Sequence, residues 1–175
     1  MHLIIAFLTA VAGVIWALYR LQNSGVDLNS FNPFFWARRR AWEKKAGTKP
    51  LHQIENGMDA AATIVVATAK LEGELSIELK RYLFSLFESE FNVSHSRATE
   101  MFTSSAFMLN DAVNLTKEVS YILAPSKASF SQAQVQSLLK MMDKISTFEG
   151  PASNEQLELV LAVEKAFAPL LQQAA

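Results

Sequence analysis

The sequence predicts an all-α protein: an N-terminal transmembrane helix, a juxtamembrane amphipathic helix, then a compact bundle of about six helices containing two similar helical hairpins. Three observations carry this. Residues 2–19 contain no Asp, Glu, Lys or Arg. From Leu51 onward apolar residues recur every three to four positions, without sustained period-two alternation. One acidic glycine-serine stretch occurs twice, each copy between two apolar helical segments.

The apolar stretch "HLIIAFLTAVAGVIWALY" lies in the first segment, residues 1–22. At 1.5 Å per residue, roughly 18 to 20 helical residues cross a hydrocarbon layer of about 30 Å, so its length suffices. A cleaved signal peptide carries positive charge ahead of a shorter apolar run. Here no Lys or Arg precedes the run, and Trp16, Tyr19 and Arg20 close it as interfacial anchors do. A buried core helix is the alternative, but such a helix normally shows a polar face. Ala6, Ala10, Gly13 and Ala17 fall along one side, where a second membrane helix can approach closely. Every nearby cation follows the span, so the positive-inside rule places the rest of the chain in the cytoplasm and the short N-terminus outside.

Residues 23–50 form a basic aromatic neck. "FNPFFWARRRAWEKK" is expected to start a helix at Pro33 with Asn32 as its cap. Phe34, Phe35, Trp36 and Trp42 are apolar, and Arg38, Arg39, Arg40, Lys44 and Lys45 are basic. Rings at headgroup depth beside clustered cations fit a helix lying on an anionic leaflet. The same composition serves nucleic-acid binding, but a patch this close to a membrane span meets lipid first. Membrane lipid is therefore the expected partner, and nucleic acid is not. "AGTKP" then breaks the chain before the body.

Charge divides the chain in the same place. Residues 1–49 hold seven Lys/Arg against Asp27 and Glu43, a net +5. The other 126 residues hold nine Lys/Arg against fifteen Asp/Glu, a net −6. A basic neck on an acidic body implies two different partners. The chain has no cysteine, which excludes disulfides, thiolate ligands and cysteine nucleophiles.

In the body, residues 51–175, six amphipathic helices are expected. The first covers about 51–71, with Ile54, Met58, Ala61, Ala62, Val65 and Ala69 as its inward stripe. The second covers about 77–91, through Leu79, Leu83, Leu86 and Phe87. Ser94 caps a third to Met108, with Ala98, Met101, Phe102 and Ala106 inward. A fourth spans about 110–123 and stops before Pro125. Ser131 and Gln134 form a capping box for a fifth, which runs to about Phe148. The last covers about 154–171, through Leu157, Val160, Leu161, Val163 and Phe167.

The repeated stretch joins these helices in pairs. In "KLEGELSIEL" and "TFEGPASNEQL", Glu72 matches Glu149, Gly73 matches Gly150, Ser76 matches Ser153 and Glu78 matches Glu155. Each glycine can take the left-handed conformation that ends a helix. Each serine can accept from the open N–H groups of the next helix, worth about 1 kcal/mol. Each later glutamate sits in a first turn, where the helix dipole favours negative charge. Ser153 with Gln156 completes a capping box; Leu79 at the matching place cannot. Nothing in the pattern requires a ligand.

With the "FSQAQVQSLLKMM" segment, the paired joints resemble the TerB-like helical domain, the family of tellurite-resistance proteins, over about residues 51–170. A membrane-anchored J-domain co-chaperone carries the same domain behind an N-terminal span. The resemblance implies a helical fold and acidic residues gathered into a possible cation-binding face. The family's joint reads Ala-Asp-Gly-x-x-Ser-x-x-Glu. Here Glu72 and Glu149 replace the aspartate, Pro151 follows the second glycine, and Glu78 and Glu155 come one place early. Caps and stops are kept, so the fold expectation stands while the cation expectation weakens. The J-domain's His-Pro-Asp signature is absent, so co-chaperone activity does not carry over.

Two chemistries remain open for the joints. If they lie side by side, Glu72, Glu74, Glu78, Glu149 and Glu155 supply hard oxygen ligands suited to Ca²⁺ or Mg²⁺. Otherwise they are helix-end carboxylates in water, with no cofactor. His2, His52 and His95 have no partner at metal-ligand spacing. No nucleophile elbow, GxGxxG or P-loop run occurs, so no enzymatic activity is expected. The leading expectation is a single-pass bacterial inner-membrane protein that holds a TerB-like helical module at the cytoplasmic face as an interaction or scaffold unit, an accessory subunit of a larger membrane complex. The alternative is a metal- or stress-responsive protein binding divalent cations through the joints.

Overall fold

A computed structural model of the chain describes residues 49–112 and 114–172. The expected membrane anchor and almost all of the basic neck lie outside the described residues, as do the side chains assigned there to the membrane surface. The described part is all-α, with six α-helices, three short 3₁₀ turns and no strand. No helix among the described residues is long and apolar enough to cross a membrane.

The helices are α1 (Gly57–Lys70), α2 (Ile77–Phe91), α3 (His95–Met108), α4 (Leu115–Leu123), α5 (Gln132–Ser146) and α6 (Asn154–Leu171). Their starts follow local capping chemistry. Ser76, Ser94, Ser131 and Ser153 each accept from an N–H in the following turn. Capping boxes form at Ser131–Gln134 and Ser153–Gln156. Two starts differ from expectation, because asparagine caps lie further along the chain. Asn56 accepts from Met58 and Asp59, so α1 begins at Gly57, and residues 50–52 form a 3₁₀ turn instead. Asn114 caps α4, leaving Leu109–Asp111 as another 3₁₀ turn.

α1 is the central helix. It packs against α3, α5, α4 and α2. Ten consecutive residues, Ala60–Ala69, are buried, so a single inward stripe is too narrow a description. Its small side chains allow close approach on all sides. Its two buried threonines satisfy themselves within the helix: Thr63 Oγ1 donates to the Asp59 carbonyl at 2.8 Å and Thr68 Oγ1 to the Ile64 carbonyl at 3.0 Å.

Side-chain contacts give the helix directions. Arg97 meets Asp59 at 2.5 Å near the starts of α3 and α1. Lys70 donates to Asn110 Oδ1 at 2.8 Å and to the Ala106 carbonyl at 3.3 Å, near the ends of the same two helices. Burial lowers the Lys70 pKa. The α4–α5 connection returns to the start of α1, where Ser129 Oγ would lie 2.9 Å from a Cβ placed on Gly57. α6 then runs back, and Phe167 meets Phe130 with ring centroids 5.0 Å apart. The six helices therefore alternate in direction, and both joints lie at one end of the bundle.

The two hairpins are not equivalent. α5 and α6 pack along each other, whereas α1 and α2 meet sparsely and α2 lies chiefly against α3. Three expected core positions also face water: Met58 is 37% exposed, Leu157 49% and Leu161 61%. α6 is buried instead through Gln156, Leu159, Val163 and Phe167.

Candidate interaction surface

The end of the bundle that carries the joints is stitched together by the capping residues themselves. Ser76 Oγ accepts from the Leu79 N–H at 3.0 Å, opening α2, and its hydroxyl donates to Glu149 Oε1 at 2.5 Å. One side chain thus caps its own helix and holds the other joint. The second joint reaches back in the same way. Gln156 Oε1 accepts from the Ser153 N–H at 3.0 Å, while Nε2 donates to the Thr68 carbonyl at 3.2 Å. Thr68 lies in the last turn of α1, where helix carbonyls lack internal partners, so Gln156 satisfies one of them. Tyr82 of α2 stacks on Phe148, ring centroids 4.7 Å apart at 20°.

The glycines make the turns, but further from the helix ends than expected. Gly73 has φ +104° and Gly150 φ +157°, and each follows its helix's closing residue (Leu71 or Thr147) by two or three positions. A left-handed closing residue does occur, at Asn92 after α2, with φ 52° and ψ 49°. Asparagine is the non-glycine residue that tolerates this conformation, and "FNVS" was the signal for it.

The structure brings the two joints side by side, with Glu149 as the residue shared between them. Glu72, Glu74, Glu78, Glu149 and Glu155 are all exposed. Among the described residues no three His, Asp or Glu side chains are grouped so that they could hold one ion.

Five carboxylates elsewhere on the body are ion-paired. Asp59 and Glu100 pair with Arg97, Glu88 with His95, Glu90 with Lys144 and Glu118 with Lys49 and His52. Glu72, Glu74, Glu78 and Glu155 make no ion pair with any described residue. Three large apolar side chains stand among them, Leu157 at 49%, Ile77 at 41% and Phe148 at 39% exposure. This end therefore presents unneutralised negative charge around an apolar centre.

Two other features were not legible in the sequence. On the flank of α4, Lys49 and His52 both bind the Glu118 carboxylate, and His52 stacks on Tyr121, ring centroids 5.1 Å apart. The Lys49 hydrogen bond, followed by that of His52, holds the Glu118 carboxyl below its ordinary range. At the opposite end from the joints, a groove of about 610 Å³ lies over Met58, Phe91, Phe130 and Met141. Glu90 at its edge is held ionised by Lys144 and then Ser137.

No protein-family model, curated protein or solved structure matches the chain.

Proposed function

We propose that this protein is a single-pass inner-membrane protein that presents a TerB-like helical body at the cytoplasmic face as an interaction module, as an accessory subunit of a membrane complex. The observation that carries the reading is the joint end of the bundle. Its glutamates make no ion pair with any described residue, whereas Asp59, Glu88, Glu90, Glu100 and Glu118 elsewhere do, and apolar Ile77 and Phe148 are exposed among them. Unneutralised charge beside exposed apolar area is the composition of a surface that gains by being covered. The uncharged apolar run 2–19 supports the anchor, and the cations that follow it support the orientation. The matched joints, with their serine caps, support the TerB-like reading.

Fractionation of cells expressing the full chain and a variant lacking residues 2–22 tests the anchor. The full chain is expected in the membrane fraction and the shortened chain in the soluble one. A shortened chain that stays with the membrane shifts the attachment to the neck. Replacing Arg38, Arg39, Arg40, Lys44 and Lys45 with glutamine is then expected to weaken binding to anionic vesicles. Unchanged binding would assign the neck to a protein contact.

A further inference from the structure

We infer that the joint end docks a basic amphipathic helix of a partner protein, whose apolar stripe covers Ile77 and Phe148 while Lys or Arg side chains meet the flanking glutamates. This rests on the interaction-module reading and names the partner's chemistry. The occupant follows from charge complementarity. Residues 71–79 and 147–158 carry Glu72, Glu74, Glu78, Glu149, Glu155 and Glu158 and no Lys, Arg or His. Anionic lipid and nucleic acid are repelled by such a face, and a neutral apolar segment would leave its carboxylates desolvated and unpaired. A helix with apolar residues at i and i+4 and cations on either side satisfies both components.

The face is also preorganised. The Ser76–Glu149 and Gln156–Thr68 hydrogen bonds fix the joints against each other before any partner arrives. The stack on Tyr82 holds Phe148 in place. Little ordering is then lost on binding. Exposed ion pairs are individually weak, so recognition depends on several at once and falls with salt.

The test uses the full chain in its own membrane. A photo-crosslinking analogue of phenylalanine is placed at position 148 and, as a control, at exposed position 120 on α4. Crosslinks from 148 are expected on a protein segment of net positive charge. The combined variant Glu72→Gln, Glu74→Gln, Glu149→Gln is expected to lower their yield at least tenfold. Glutamine at 149 still offers an oxygen to Ser76, and unchanged circular dichroism verifies the fold. Crosslinks to lipid, to an acidic or neutral segment or equally from 120, their absence, or yields indifferent to the variant would overturn the inference. Membrane fractionation of the same cells reports separately on the anchor, so a failed docking face is not confused with a failed anchor.

Discussion

Gln156 and Thr68 are 88 residues apart in sequence, yet the Gln156 amide nitrogen donates to the Thr68 carbonyl oxygen at 3.2 Å in the core. The same side chain completes the capping box that opens α6. One glutamine therefore finishes the end of α1 and the beginning of α6 together.

Gln156→Ala removes both bonds and strands a buried carbonyl. It is expected to destabilise the protein by about 1–3 kcal/mol, against about 1 kcal/mol or less for Gln134→Ala at the exposed capping box. Denaturant unfolding of the detergent-solubilised chain, followed by circular dichroism, compares the two. Equal losses would mean that the Thr68 contact contributes nothing.

Ala62 is fully buried in the central helix. Ala62→Leu is expected to cost about 1–3 kcal/mol by overpacking, whereas Ala133→Leu, at an exposed site on α5, should stay within about 0.5 kcal/mol. The melting temperatures of the two variants give the comparison.

At Gly73 a Cβ would meet nothing within 4 Å, but φ is +104°. Gly73→Ala is therefore expected to destabilise through backbone strain alone, by about 1 kcal/mol. Gly73→Asn, which tolerates positive φ better, should recover part of that loss.

Glu118 has its folded pKa lowered by Lys49 and His52. A depressed carboxyl stabilises the fold above its unfolded pKa of about 4.3, and the contribution disappears as pH falls through the lower folded value. Between about pH 5 and pH 3 the wild type should lose more stability than Glu118→Gln, by under about 1 kcal/mol for so partly exposed a cluster. Parallel unfolding titrations at those pH values would detect this, and identical slopes would contradict it.

Calorimetric titration of the full chain with Ca²⁺ and Mg²⁺ tests the alternative reading, in which the joint glutamates take a divalent cation. That reading expects saturable heat that disappears in Glu72→Gln, Glu149→Gln; the interaction-module reading needs none.

The sequence by itself determined the helical class, the six helices of the body and most of their starts. Capping is a local matter, complete within three or four residues of Ser76, Ser94, Ser131 and Ser153. It also held the doubled joint, because a turn between helices needs the same residue types wherever it occurs. Only the tertiary structure decided which faces are covered. Leu157 and Leu161 obey helical periodicity as well as Val163 does, yet α4 and α5 lie against the other side of α6. Alanine-rich α1 became central because four helices share it, which a one-stripe pattern does not encode. The bonds of Ser76 to Glu149 and Gln156 to Thr68 span 73 and 88 residues, so nothing local specifies them. They exist because helices of alternating direction bring both joints to the same end.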